Sequence, residues 1–188
     1  MHSAGCTFEY LLWFPQIPEP TKNTDWMHFS LDYKTANMML WISDNVFRRT
    51  EEVCPVLDRP EKYEYSPQVC QNIIQIHMRA YWEVEYSGAD SGPSGLGENE
   101  ESWGLCWSGT RYQIWFNGMN KDINDIPNSS TIGVHIDQPA GIMSFYVVPG
   151  EGEERELLFK VQTTIKKKGF TGFWMGIQSS CTILETSD

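Results

Sequence analysis

Residues 81–86 read Tyr-Trp-Glu-Val-Glu-Tyr, and this stretch decides the fold class of the chain. Trp82, Val84 and Tyr86 alternate with Glu83 and Glu85. Because successive side chains of a strand point to opposite faces, the large apolar groups should share one face and the carboxylates the other. The stretch therefore predicts a β-strand whose aromatic face packs inward. We expect its two glutamates to lie toward solvent or to cap a neighbouring loop.

Further short apolar runs lie on both sides of this strand and are separated by turn residues. Residues 102–108 and 111–117 predict one hairpin, and residues 132–137 and 142–148 predict a second one through a Gln-Pro-Ala-Gly turn. Single strands are predicted at 38–43, 157–165, 173–178 and 181–184. Many short strands at close intervals indicate an all-β sandwich or barrel instead of alternating strands and helices.

The length of 188 residues suits one domain with a substantial core. Residues 1–25 resemble a lead-in or linker, because a short apolar run at residues 8–14 predicts a helical turn or two that the prolines at 15, 18 and 20 end. Residues 26–188 are predicted to form the domain. Residues 89–101 are rich in glycine, serine and glutamate and predict a flexible loop.

The charge of the chain argues against two classes of partner. The net charge is −11, and the longest basic run is the three lysines at 166–168. Nucleic-acid binding requires clustered cations, and an acidic protein is repelled by anionic membrane surfaces. No apolar run reaches the roughly 20 residues that cross a bilayer. The five cysteines form no C-x-x-C motif, which is typical of reduced thiols in a cytosolic protein.

The residues that could carry chemistry do not form a convincing site. Glu83 and Glu85 could imitate the carboxylate pair of a glycosidase, but we expect a structural role for them. His135 lies on one strand face with Asp137, which favours a hydrogen-bonded sandwich residue over a metal ligand. Cys106 has no obvious base nearby. We therefore predict no catalytic residue, no metal and no cofactor. A glycosylation sequon at residues 128–130 would matter only in a secreted chain.

Several motifs, in order along residues 29–178, resemble those of the B30.2, or PRY-SPRY, family. The first resembles the L-D-P-x-T-A-H opening of the PRY segment, and the strand that begins at residue 81 resembles the Y-W-E-V-E signature that starts SPRY. The matching stretches are Leu-Asp-Tyr-Lys-Thr-Ala-Asn at 31–37, Ile-Ser-Asp-Asn at 42–45, Arg-Pro-Glu-Lys-Tyr at 59–63, Ser-Pro-Gln-Val-Cys at 66–70, Tyr-Trp-Glu-Val-Glu at 81–85, Ser-Trp-Gly-Leu at 102–105, residues 132–137 with 140–146, and Phe-Trp at 173–174.

This resemblance implies a two-layer antiparallel β-sandwich of the concanavalin-like jelly-roll type. Within this family the sequence most resembles the fish members. These occur in tripartite-motif ubiquitin ligases, NOD-like receptors and stonefish toxin subunits. It implies a non-catalytic module of a cytoplasmic, innate-immune or ubiquitin-pathway protein that binds a protein partner of unknown identity. The alternative is the C-terminal domain of a secreted, pore-forming toxin-like subunit.

The resemblance also implies which residues contact the partner. The region after Trp103 and the segment after the final Phe-Trp occupy the positions that bind ligands in the family. Arg111 is added on chemical grounds, because arginine is common in interface hot spots. Trp107 has an alternative role in the core, since half of the positions of a sandwich strand point inward. The predicted partner-binding residues are Cys106, Trp107, Ser108, Arg111, Tyr112 and Gln178.

Two departures from the family pattern accompany the resemblance. The family places a strand of the type V-x-I-A-V-S-Y-K between the Y-W-E-V-E and S-W-S-L stretches, but here residues 87–101 intervene and predict a loop. One strand of the sandwich is therefore predicted to be missing, either as a functional deletion or in a truncated gene product. Residues 72–79 replace a glycine-containing turn with three isoleucines, so that connection should be rebuilt.

Overall fold

The computed structural model describes residues 25–28, 30–50, 68–70, 78–88, 97, 102–107, 111–124, 126–127, 129–150, 154–163 and 171–185. In these ranges it forms the antiparallel β-sandwich that the sequence predicts. The strands are β1 Leu40–Ser43, β2 Val46–Arg49, β3 Gln68–Cys70, β4 Arg79–Ser87, β5 Trp103–Trp107, β6 Tyr112–Phe116, β7 Met119–Ile123, β8 Thr131–Asp137, β9 Ile142–Val148, β10 Glu156–Gln162, β11 Gly172–Trp174 and β12 Ser180–Ile183.

Seven strands form the larger layer, in the order β1-β2-β12-β4-β8-β9-β10. The alternating stretch at 81–86 lies in β4, which pairs antiparallel with β12 on one side and with β8 on the other. This position explains its composition, because β-branched and aromatic side chains pack well on a pleated surface. The predicted strand is thus confirmed, and it lies in the middle of the sheet.

The hairpin of β8 and β9 confirms the predicted pairing of residues 132–137 with 142–148. Its turn is closed by Asp137, whose Oδ1 accepts a hydrogen bond of 2.9 Å from the Ala140 N–H. Gly141 has a φ of 67°, and its carbonyl accepts a bond of 2.7 Å from the Thr163 N–H. A residue without Cβ is needed here because the left-handed conformation is costly for other residues.

The smaller layer consists of two separate pieces in the described part of the chain. One is a sheet in the order β5-β6-β7, and the other is the pair β11-β3. The predicted hairpin of residues 102–108 and 111–117 is confirmed by the β5–β6 register, which places Trp107 opposite Tyr112. The sequence did not predict β2, β3 or β7. β7 is short and mostly exposed, and it therefore lacks an apolar alternation.

The core lies between the two layers and confirms that the aromatic face of β4 points inward. Trp82 is 2% exposed, and Phe47 and Val69 are fully buried. Phe47 of the larger layer meets Phe173 of β11 with ring centroids 5.1 Å apart. Close-packed aromatic contacts of this kind hold the layers together, because such rings bury large apolar areas.

The outer face of β4 is also buried, so the expectation that Glu83 lies toward solvent is wrong. Glu83 is 4% exposed and its Oε1 accepts a 2.7 Å hydrogen bond from the Tyr81 hydroxyl. The Arg155 guanidinium lies 4.5 Å from the centre of the Tyr81 ring, and Trp26 packs edge-on against that ring. Burial, together with the Glu83 carboxylate, raises the pKa of Tyr81. Glu85, in contrast, is exposed.

Charged side chains also lie near His135, which is buried in β8 beside β4. Arg79 forms ion pairs of 3.3 Å with Asp25 and 3.1 Å with Asp137. His135 is 2% exposed, and its Nε2 has no hydrogen-bond partner in the described ranges. Burial lowers the pKa of His135, although the carboxylates of Asp25 and Asp137 oppose that shift.

His135 should make the stability of the chain depend on pH in the mildly acidic range. Below pH 6.5, its ordinary pKa, the unfolded chain binds a proton that the folded chain resists, so the free energy of unfolding should fall as the pH is lowered. The slope from this group is at most about 1.4 kcal/mol per pH unit. Urea unfolding between pH 7.5 and 5 measures it. The His135→Gln variant should show a shallower slope than the parent, and an unchanged slope would refute the assignment.

Candidate binding face at the end of β4

Three aromatic side chains meet where β4 ends. Trp107 of β5 and Tyr112 of β6 have ring centroids 4.7 Å apart, and Tyr86 of β4 lies 6.1 Å from Trp107 and 6.3 Å from Tyr112. The β5–β6 hairpin explains the first contact, since Trp107 and Tyr112 are paired residues. The packing of the two layers adds Tyr86. Trp107 is half-buried, whereas Tyr112 is 3% exposed.

The two tyrosine hydroxyls anchor the segment that leads into β8. Tyr112 donates to the Tyr86 hydroxyl, and Tyr86 donates to the Ser129 carbonyl at 3.0 Å, which also lies 3.3 Å from the Tyr112 hydroxyl. The Ser129 hydroxyl in turn donates to the Val148 carbonyl. Burial raises the pKa of both tyrosines. Tyr112 therefore supports this face from below and presents almost no surface to a partner.

Arg111 precedes β6 on the outside of the same sheet. Its side chain is 55% exposed and pairs with Asp122 of β7 at 2.6 Å, and Gln113 donates to the same carboxylate at 2.7 Å. An exposed pair of this kind contributes little to stability. Its role would be to hold the guanidinium in one orientation, which lowers the entropy cost of a contact with a partner.

Gln178 lies at the other side of the β4 end. It has a φ of 56° in the turn between β11 and β12, and both Gln178 and Ile177 are exposed. A Cβ at Gly88 would lie 2.7 Å from the Ser179 Cβ and 3.1 Å from the Gln178 carbonyl, so this turn is in contact with the residue that follows β4. Of the predicted residues, Trp107 and Tyr112 thus contact Tyr86, and the backbone of Gln178 lies next to Gly88.

The remaining predicted residues are Cys106 and Ser108. Cys106 is a half-buried free thiol in β5, and burial raises its pKa. A thiol with a raised pKa carries little thiolate and is a poor nucleophile. Ser108 lies outside the described residues. Whether any of the predicted residues contacts a partner stays a prediction.

Sequence reasoning missed two residues at this face. Tyr86 ends the alternating stretch, and its position as the last aromatic residue of β4 was the available signal. Ile177 is 49% exposed, although it is a large apolar residue. Ile177 precedes Gln178 in the turn that contacts Gly88. Exposed apolar side chains are common where proteins meet, so we include Ile177 in the candidate face. No pattern in the sequence distinguishes it from a core isoleucine.

Two features are absent from the residues that the structure describes. These residues contain no cluster of three or more His, Cys, Asp or Glu side chains arranged to hold a metal ion. Nor do they contain a helix with the length and apolar character needed to cross a bilayer.

No protein-family model matches the chain. By sequence it is similar to tripartite motif-containing protein 16 of Mus musculus, with 25% identity over 84% of this chain, and to neoverrucotoxin subunit beta of Synanceia verrucosa, with 31% identity over 63%. It is 22% identical to the E3 ubiquitin-protein ligase RNF135 of Mus musculus over 78% of this chain. The matches span 32%, 19% and 37% of these relatives, so the chain corresponds to less than half of each.

Two solved structures share the fold. The TRIM65 PSpry domain superposes with a TM-score of 0.72 at 20% identity and covers 86% of this chain and 94% of that domain. Stonustoxin superposes with a TM-score of 0.73 at 22% identity and covers 85% of this chain and 29% of the toxin chain. These likenesses establish that the sandwich is of the PRY-SPRY type.

Proposed function

We propose, from the premise that this chain belongs to the PRY-SPRY (B30.2) family, that it is a non-catalytic module that binds another protein through the face at the end of β4. One observation carries the proposal: the half-buried Trp107 packs on Tyr86 at the end of β4, and the turn of the exposed Gln178 contacts Gly88 there. The exposed Ile177 and Arg111 adjoin Gln178 and Tyr112 in the chain. Apolar, aromatic and arginine side chains are the residue types that contribute most to binding energy at interfaces.

The finer setting of this function is also a proposal. We infer that the parent protein acts in the cytoplasm, in an innate-immune or ubiquitin pathway. The similarity to a tripartite-motif protein and to a ubiquitin-protein ligase supports this inference, as do the free thiols of Cys106 and Cys181. The catalytic part of such a protein would lie outside this domain.

A second candidate is a domain of a toxin-like subunit. The similarity to neoverrucotoxin and the superposition on stonustoxin favour it. It predicts secretion and a glycan on Asn128, which begins the sequon. Expression in a secretory host followed by mass spectrometry of that peptide tests it, and an unmodified Asn128 in secreted protein counts against it.

Affinity capture tests the binding face. The full chain is immobilised and exposed to a cytosolic extract beside the variants Ile177→Ser and Arg111→Ala. We expect proteins retained by the parent to be reduced at least tenfold by each variant, because each removes an exposed side chain of a type that contributes strongly to binding energy.

Matched controls separate this face from the rest of the surface. Leu157→Ser removes an apolar residue that is 47% exposed on β10, nearly the same exposure as Ile177, and Arg48→Ala removes an exposed arginine of β2. Both controls should retain the captured proteins. If the controls lose them equally, or if Ile177→Ser and Arg111→Ala retain them, the face is assigned wrongly.

A further inference from the structure

A slot separates the two pieces of the smaller layer. It is a cavity of about 380 Å³ bounded by β5 on one side and by β11 on the other. This size falls in the range of about 300–1,000 Å³ that is usual for binding pockets. Its floor is the inner face of the larger sheet, formed by apolar side chains of β4, β8 and β9: Trp82, Val84, Ile132, Val134, Ile136, Met143 and Phe145. The slot therefore opens onto the hydrophobic core.

Both walls of the slot are sheet edges. β5 pairs with β6 and β11 pairs with β3, and in the described ranges neither has a second neighbour. An edge strand presents backbone N–H and C=O groups without ladder partners and accepts an added strand. Two such edges facing one cavity provide hydrogen-bonding groups on both sides of whatever occupies it.

The walls also allow a backbone to approach closely. β5 contains Gly104 and β11 contains Gly172, and both residues line the slot. A glycine within a strand often marks a place where another backbone comes near. The indole N–H of Trp103, also in the wall, is buried and has no acceptor in the described part of the chain, so a carbonyl of an incoming segment would satisfy it.

The connection from β4 to β5 is described at one position, Gly97, which does not line the slot but contacts two residues that do, Ser102 and Trp115. Its N–H bonds to the Ser102 hydroxyl at 2.9 Å, and its carbonyl accepts from Gly118 in the β6–β7 turn at 2.8 Å. A Cβ at Gly97 would lie 2.5 Å from the Trp115 backbone, so this residue covers β6. The described residue nearest the start of the domain, Trp26, packs on Tyr81, on the opposite face of β4 from Trp82.

We propose that the slot binds an extended segment of another protein, which inserts between β5 and β11 as an additional strand. The segment would be about five residues long, matching β5, with apolar side chains at alternate positions that enter the core. The net charge of −11 favours basic residues on its flanks. The slot shares Tyr86, Trp107 and Tyr112 with the face at the end of β4. This inference goes beyond the proposed function, because it adds an inserted strand held by backbone hydrogen bonds between β5 and β11.

The test uses the full chain and a panel of synthetic nonapeptides. Each peptide has two lysines at either end and Val, Ile, Leu or Phe at three alternate central positions with threonine between them. We expect the best members to bind with micromolar Kd in fluorescence anisotropy. N-methylation of two central amides should weaken binding at least tenfold because it removes ladder hydrogen bonds, and exchanging the lysines for glutamates should weaken it as well. If no peptide binds, or if N-methylation has no effect, the proposal is wrong.

Hydrogen exchange gives a readout that does not depend on substitutions. In the free chain, the slot-facing amides of β5 and β11 should exchange much faster than those of β8, which is paired on both sides. Peptide binding should slow exchange in β5 and β11 at least tenfold and should slow the alkylation of Cys106, which lines the slot. Full protection of both edges in the free chain would overturn the proposal, because the chain would then fill the slot itself. A stable dimer in sedimentation that the peptides dissociate would overturn it too, since a second copy would be the occupant.

Two variants separate this proposal from the binding face at the end of β4. Leu105→Lys places a charge in the slot wall and should abolish peptide binding, whereas Ile177→Ser, outside the slot, should leave it unchanged. Each variant must first unfold cooperatively at a midpoint close to that of the parent; if Leu105→Lys does not, the N-methylated peptides and the exchange experiment decide. Failure of peptide binding together with loss of extract proteins in Ile177→Ser would reject the slot and retain the proposed function.

Discussion

Replacing Gly141 by alanine should lower the free energy of unfolding by about 3 kcal/mol, among the larger effects expected of one methyl group. Gly141 has a φ of 67°, and an alanine Cβ would lie 2.1 Å from the Thr163 carbonyl oxygen. The backbone cannot relax freely, because the Gly141 carbonyl accepts a hydrogen bond from the Thr163 N–H and β9 begins at the next residue. Urea unfolding monitored by tryptophan fluorescence measures the change.

Gly150→Ala is the matched control for this substitution. A Cβ at Gly150 would have no atom within 4 Å, and the backbone of Gly150 is not in the left-handed region. Its free energy of unfolding should stay within about 0.5 kcal/mol of the parent value. Equal effects in the two variants would show that the turn before β9 does not have the described geometry.

Replacing Glu83 by alanine should destabilise the chain by about 2–3 kcal/mol, because a buried hydroxyl loses its acceptor and a cavity remains. The Tyr81 side chain is fully buried and donates to Glu83, and the Arg155 guanidinium covers the Tyr81 ring. Glu83→Gln keeps an acceptor oxygen and should cost less than the alanine variant. Urea unfolding of the parent, Glu83→Ala and Glu83→Gln at pH 7 measures their free energies of unfolding and so tests this order.

Glu85→Ala provides the comparison on the same strand face. Glu85 is exposed, so its removal should change stability by no more than about 0.5 kcal/mol. The two glutamates are equivalent in the sequence pattern. The difference between the two changes in the free energy of unfolding therefore measures the contribution of burial at Glu83. If both substitutions are silent, the packing of Trp26 and Arg155 over the outer face of β4 is not as described.

Part of the candidate binding face could be predicted from the sequence, because two of its residues belong to one hairpin. Trp107 and Tyr112 are close in sequence and are brought together by a turn, so a local pattern was enough to place them side by side. Tyr86 joins them across the two layers, and Gln178 reaches the β4 end through the contact of its turn with Gly88. Contacts between residues 20 to 90 positions apart leave no periodic signal in a single sequence. For the same reason the burial of Tyr112 was not foreseen.

The outer face of β4 shows a limit of alternation as a guide to burial. Period-two patterning correctly assigned Trp82 to the core, since that face packs against the second layer. It could not reveal that the opposite face is covered as well, because the covering groups, Trp26 and Arg155, lie 57 or more positions from Glu83 along the chain. A carboxylate in a strand is usually solvated. Only the structure shows that Glu83 is instead buried and accepts a hydrogen bond from Tyr81.

The sequence by itself determined the all-β class, the PRY-SPRY resemblance, the two hairpins and the inward face of β4. These features depend on local rules, namely the two-residue period of strands and the conformations that turn residues favour. The tertiary structure decided the burial of Glu83, the meeting of Tyr86 with the β5–β6 hairpin, and the slot between β5 and β11. Those features arise from how distant strands pack and where a sheet stops, and backbone pairing across such distances is fixed only when the two layers close on a common core.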